Sequence, residues 1–329
     1  MGKAGRIAIT ITAIVLALLI PNLVLAPMGA PAAGSLIGLA GLGIAIAAAS
    51  AGTRPALLAA LLFAPATLLM TVDQGNPTFG VVALVAVAAA IGLTARRGWN
   101  KAFVLTGIAS AFIASEWTPQ EPLTDPFIFA FVMALYLVVV ALAVGEINKR
   151  LLPPGKSADL PWERVLAYTG VLVLSTITTA LIALGGDWGH TGGWLIMTPF
   201  IVIQPSARDG WRKALDRSIG TLVGFAIAYL AAAVLGSGTA LMIVGYVFAI
   251  ATAIALVKKW PYALYATVLT PAIVILESAG RDVDQTGDNR IIATLLGVGI
   301  SLVATAVVLL ILNRQLISGR HLRSNDVHP

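Results

Sequence analysis

Two arginines stand at the head of matching stretches. Arg217 opens RSIGTLVG and Arg290 opens RIIATLLG. Each follows a second matched segment, TPFIVIQPSARD at residues 198–209 and TPAIVILESAGRD at residues 270–282. A guanidinium recognises a carboxylate through two parallel hydrogen bonds. Arg217 and Arg290 are therefore candidates for holding an organic anion, although arginines at helix ends also commonly extend to lipid headgroups. Thr198-Pro199 and Thr270-Pro271 have two readings. Each resembles an N-cap followed by proline in a first helical turn, so that half-helices with free N–H groups would face an anion near mid-membrane. Alternatively, each proline simply kinks a continuous helix. Gln204 adds a polar group near the end of the same segment, on a pathway or bonded to a neighbouring helix.

Proton-coupling candidates are sparse. Asp187 and His190 lie in GGDWGHTGG, where an imidazole titrates in the useful range, and Asp216 sits beside Arg217. Asp187 and His190 also read as ordinary solvated loop residues. No Asp, Glu, Lys or Arg lies well inside any predicted span, whereas proton relays normally place carboxylates there. The chain has no cysteine, which removes thiol catalysis and Cys-ligated metal. Two of its three histidines, His321 and His328, fall in a polar tail. No catalytic set, metal cluster or cofactor motif emerges, so the chain is not expected to be an enzyme.

The elements that must position these residues are membrane helices. Of 329 residues, 58% are hydrophobic and 11% are charged, and mean hydropathy is +0.92. Soluble domains carry about 25% charged residues. The apolar runs approach the ~20 residues needed to span hydrocarbon. They predict twelve spans, at about 7–26, 33–51, 55–72, 78–95, 102–115, 126–145, 165–184, 192–207, 218–235, 239–257, 261–277 and 291–313. Nineteen of the 21 Lys and Arg residues fall on one set of connections, and only Arg281 and Arg290 on the other. By the positive-inside rule both termini are cytoplasmic. The net charge of +6 is then topological, and no nucleic-acid partner is expected. All seven tryptophans fall near span ends, as interfacial rings do. Lys3 and Arg6 before an apolar run resemble a signal peptide, but the run's length favours an uncleaved first helix.

With that span order, the two matched segments are separated by three spans and run in opposite directions. Spans seven to nine and ten to twelve form a 3+3 inverted-topology repeat, a common transporter build with sites near the midplane. The expected fold is an all-α polytopic membrane protein of about twelve transmembrane helices in two six-helix halves. These are residues 1–147 and 165–313, joined by a cytoplasmic linker at 148–164 and followed by a tail at 314–329.

Residues 192–230, GGWLIMTPFIVIQPSARDGWRKALDRSIGTLVGFAIAYL, resemble the fusaric acid resistance and aromatic acid exporter family. The resembling features are a Trp-led short helix ending in IQPS, a basic segment, and R-x-I-G-T-L-x-G. The resemblance covers residues 165–312, with only faint traces such as SAGTRP at residues 50–55 in the first half. The six-span unit is also similar to plant aluminium-activated malate transporters, which pair as dimers and so suggest a pseudo-dimer within one chain. The resemblance implies an inner-membrane exporter of organic, aromatic carboxylic anions driven by proton-motive force, with Arg217 and Arg290 at the matching motif positions. A passive organic-anion channel and a membrane subunit of a larger efflux assembly are the alternatives. The implied partners are a small organic anion and the lipid bilayer, with a homo-oligomer or a periplasmic efflux component as further candidates in a bacterial cell membrane.

Overall fold

The computed structural model describes residues 3–72, 76–116, 123–151, 160–186, 188, 191–236, 238–257, 260–277 and 283–324. Among the described residues there are twelve α-helices: α1 (Lys3–Leu25), α2 (Pro31–Ala51), α3 (Thr53–Val72), α4 (Pro77–Thr94), α5 (Asn100–Glu116), α6 (Pro126–Leu151), α7 (Trp162–Gly185), α8 (Thr191–Val202), α9 (Ala207–Leu235), α10 (Thr239–Val257), α11 (Tyr262–Glu277) and α12 (Val283–Ser324). Each predicted span falls on one of them. Eight are long and apolar enough to cross a membrane, while α5, α8, α10 and α11 are shorter apolar helices. The chain is an all-helical, multi-pass membrane protein.

Local chemistry sets many of the ends. Asn76 accepts a hydrogen bond from the Thr78 N–H at 3.0 Å, with Pro77 in the first turn of α4. The Asp125 carboxylate accepts from the Phe127 and Ile128 N–H groups at 2.7 and 3.2 Å ahead of α6. Such caps satisfy donors that hydrocarbon cannot, and each is worth about 1 kcal/mol. Gly98, at φ 69°, closes the short 3-10 turn Ala95–Arg97 that follows α4, a backbone state glycine enters without steric cost.

Hydropathy misplaced two starts. The basic segment predicted as a loop before residue 218 is the first part of α9, which begins at Ala207. α12 begins at Val283, well before residue 291, and runs through the predicted tail to Ser324. Charged residues such as Arg, Lys and Asp do not stop a helix. It ends where backbone hydrogen bonding ends, not where polarity changes. Arg217 and Arg290 thus lie inside continuous helices rather than at their starts.

The chain folds as two compact units, Met1–Phe200 and Ile201–Pro329. The predicted linker falls within the first unit, and its residues 152–159 lie outside the described residues. In the first unit α2 is the inner helix, packed by α1, α3, α5 and α6. Its small residues permit this. A Cβ on Gly41 would lie 2.6 Å from the Ala17 carbonyl oxygen and 2.6 Å from the Tyr136 ring. A Cβ on Gly43 would lie 3.2 Å from the backbone of Leu105 and Thr106. Pro21, inside α1, has no N–H, so the Ala17 carbonyl loses its helical donor. The Tyr136 hydroxyl replaces that donor at 2.7 Å, and Gly41 leaves room for both. In the second unit α11 packs against α9 and α10, and α12 packs against α9. Tyr136→Phe should cost about 1 kcal/mol by leaving that carbonyl unpaired, and Gly41→Leu about 1–3 kcal/mol by overpacking. Thermal unfolding in detergent should show the midpoint falling in that order.

Candidate functional site

The candidate site is built on the face α9 turns toward α11. Lys213, Arg217, Gly220 and Gly224 recur at helical spacing and share one stripe. The glycines set the approach of the two helices. A Cβ on Gly220 would lie 2.6 Å from Ala266 Cβ and 2.8 Å from the Ala263 oxygen. At Gly224 the obstacles are the Thr267 oxygen and Thr270 Cβ, both at 2.7 Å, and Pro271 Cδ at 3.0 Å. Pro271 cannot donate to the Thr267 carbonyl one turn back, so Gly224 seats against the notch the proline makes.

With the backbones that close, Arg217 is buried, at 5% exposure. Its Nη1 donates to the Tyr262 hydroxyl at 3.2 Å, while its Nε is buried without an acceptor. No ion pair to Arg217 is seen among the described residues. Asp216, next in sequence, lies about 100° round the helix and is half-buried. One turn before Arg217, Lys213 Nζ sits 5.3 Å above the Tyr262 ring, and the Tyr262 and Tyr265 rings are 6.0 Å apart. A guanidinium, an ammonium and two phenol rings thus converge at one end of the α9–α11 interface. Tyr262 escaped notice in the sequence because it sits at a helix start beside Lys258, Lys259 and Trp260. The signal available was its place near the basic end of its span, the same end at which Arg217 lies in span nine.

Thr270 and Pro271 belong to the same interface but lie about 12 Å further along α11. Neither Thr-Pro pair starts a helix. Pro199 lies inside α8 and Pro271 inside α11. Thr198 donates to the Trp194 carbonyl at 2.7 Å and Thr270 to the Ala266 carbonyl at 2.9 Å. The half-helix reading is therefore corrected to proline within a continuous helix. Each threonine hydroxyl is turned back onto its own turn instead of capping a new one.

The remaining expected residues are placed separately. Thr198 and Pro199 are in the first unit, and Gln204, Arg217, Thr270, Pro271 and Arg290 in the second. Gln204 Nε2 donates to the Ile201 and Ile203 carbonyls at 3.1 and 2.8 Å, so its amide caps the end of α8. Its residue also lines a cavity of about 270 Å³ with Trp211, Leu302 and Leu309. Arg290 is buried at 5% exposure on α12. Asp187, His190, Arg281 and Asp282 lie outside the described residues. Trp194, in the first turn of α8, is buried and edge-on to Phe112 at 5.1 Å. No three His, Asp or Glu side chains are grouped to hold a metal among the described residues.

The two matched stretches share a burial pattern. Arg217, Gly220, Thr221, Gly224 and Ala228 are buried, and so are Arg290, Ala293, Thr294, Gly297 and Ser301 at the corresponding positions. Arg217 and Arg290 are the only charged side chains buried among those whose burial is described.

Comparison with known proteins adds one finding. Residues 174–304, which include both arginines, match the family described as fusaric acid resistance protein-like. No curated protein and no solved structure gives a significant match. The chain is thus a multi-pass membrane protein whose residues 174–304 are similar to the fusaric acid resistance protein-like family.

Proposed function

We propose that the protein is a membrane transporter that exports organic anions, aromatic carboxylates above all, across a bacterial inner membrane, driven by proton-motive force. One observation carries this reading. The Arg217 guanidinium is buried with one neutral partner, an unused Nε and no carboxylate in reach among the described residues. A buried charge without a counter-ion is costly, and a transported carboxylate supplies that counter-ion in bidentate fashion. The Tyr262 hydroxyl is a second donor, and the Tyr262 and Tyr265 rings offer flat apolar faces to an aromatic ring.

Arg290 stands at the matching position of the second stretch, and the shared burial pattern of the two stretches supports the 3+3 repeat. Six-helix halves, cytoplasmic termini and proton coupling through Asp187, His190 or Asp216 complete the proposal. A passive anion channel is the second reading. It is favoured by the absence of buried carboxylates among the side chains whose burial is described, since both buried charges there are arginines.

Flux of labelled aromatic carboxylates in proteoliposomes separates the two. Accumulation that requires an imposed pH gradient marks the exporter, and flux following a potassium diffusion potential alone marks the channel. In either case Arg217→Gln should raise the apparent KM at least about tenfold by removing a charge-assisted contact. Tyr262→Phe should raise it by a smaller factor, with insertion unchanged in both. Unaltered flux in Arg217→Gln would remove that residue from the pathway.

The same interface predicts a structural contrast. Gly224→Val must separate α9 from α11 at a backbone oxygen, at a cost of about 1–3 kcal/mol, so unfolding temperature and flux should fall together. Gly170→Ala, where a Cβ meets nothing within 4 Å, should leave both unchanged or slightly improved. Equal effects of the two substitutions would contradict this packing.

A further inference from the structure

α3, α4 and α5 of the first unit leave between them a cleft of about 160 Å³, walled by Phe63, Val87, Ile91 and Phe103 and edged by Pro55 and Trp99. The two threonines that line it have no hydroxyl proton left to donate to a polar ligand. Thr94 donates to the Ile91 carbonyl at 2.6 Å and Thr106 to the Phe103 carbonyl, so both hydroxyls are spent inside their own helices. A charge drawn into this cleft would lose its hydration and gain no donor. What fits inside is hydrocarbon.

Two features say which hydrocarbon. Leu58 and Leu62 line the cleft and are also more than half exposed, at 53% and 56%. The cleft therefore opens on the outer apolar surface of α3, which lipid covers. One end of it is basic. Arg54 directly precedes Pro55 at the start of α3, and the Arg97 guanidinium lies 5.0 Å over the Trp99 ring. Beyond it, Arg96 lies 4.5 Å over the Trp162 ring. Both Arg54 and Arg97 are exposed.

We propose that this cleft is a binding site for one anionic phospholipid, which inserts an acyl chain between α3, α4 and α5 and rests its phosphate against Arg54 and Arg97. The chain gains about 0.8 kcal/mol per methylene withdrawn from water only when compared with water. Against bulk lipid the selectivity comes from the arginines. Its lining shares no residue with the Arg217 cluster, and the proposal does not depend on which anion is transported.

Purified protein in nanodiscs carrying a phosphatidylglycerol probe, with a photoactivatable group midway along one acyl chain, tests this. Cross-linked peptides should concentrate on residues 55–63 and 87–106. Ala90→Trp, which places a ring in the cleft, should cut that yield about tenfold. Arg54→Gln and Arg97→Gln should each lower the preference for phosphatidylglycerol over a phosphatidylcholine probe by about fivefold, with unfolding temperature unchanged. Cross-links spread evenly over the unit, or equal yields from the two probes in the unaltered protein, would overturn the proposal. Displacement of the probe by excess arylcarboxylate would also overturn it, assigning the cleft to that anion instead.

Discussion

In hydrocarbon a polar group has no water to fall back on, and the fold depends on that constraint. Prolines inside α1, α3, α8 and α11 each remove a backbone donor, and in α1 a neighbouring helix restores it. Ala17, orphaned by Pro21, receives the Tyr136 hydroxyl. Thr198 and Thr270 turn their hydroxyls onto the Trp194 and Ala266 carbonyls, one residue before the Leu195 and Thr267 carbonyls whose donors the prolines remove, and Gln204 covers the carbonyls at the end of α8. At two such places glycine lets a neighbouring helix approach, Gly41 beside Ala17 and Gly224 beside Thr267. Small residues and internal hydrogen bonds are the means by which membrane helices associate when burial alone gives no drive.

Against that background Arg217 is an exception with a meaning. Every other charged side chain whose burial is described, Arg290 apart, is left at least partly exposed. Close contact at Gly220 and Gly224 brings α11 onto the same face that carries Arg217. The packing that buries the guanidinium and the packing that supplies Tyr262 are therefore one arrangement. The motif R-x-I-G-T-L-x-G links them physically, because arginine and both glycines fall on one stripe of a helix. Its second occurrence at Arg290 keeps the same buried positions, although Ala293 stands where Gly220 does.

Much of this was legible in the sequence. Twelve apolar runs became twelve helices, and the short eighth was visible as thirteen residues between Gly192 and Gln204. Thr198, Thr270, Arg217 and Arg290, singled out in the sequence, are all buried. What escaped was of two kinds. Helix extents were misjudged at α9 and α12 because hydropathy reports the solvent around a residue and not its backbone. Partnerships across helices escaped because nothing local encodes them. Tyr262 reads as one more interfacial aromatic until α9 is laid beside it, and the Thr-Pro pairs fit both a cap and a kink until the Trp194 and Ala266 carbonyls are seen to take the hydroxyls.

The central claim is that the missing counter-ion of Arg217 is the carboxylate of the transported molecule. It is tested most directly by the nitrogen resonance of its Nε–H in arginine-labelled protein, identified by its loss in Arg217→Gln. Titration with an aromatic carboxylate should shift that signal and slow its exchange with solvent, and the neutral amide of the same acid should do neither. A signal that stays in place while the carboxylate is being transported would show that the anion passes elsewhere.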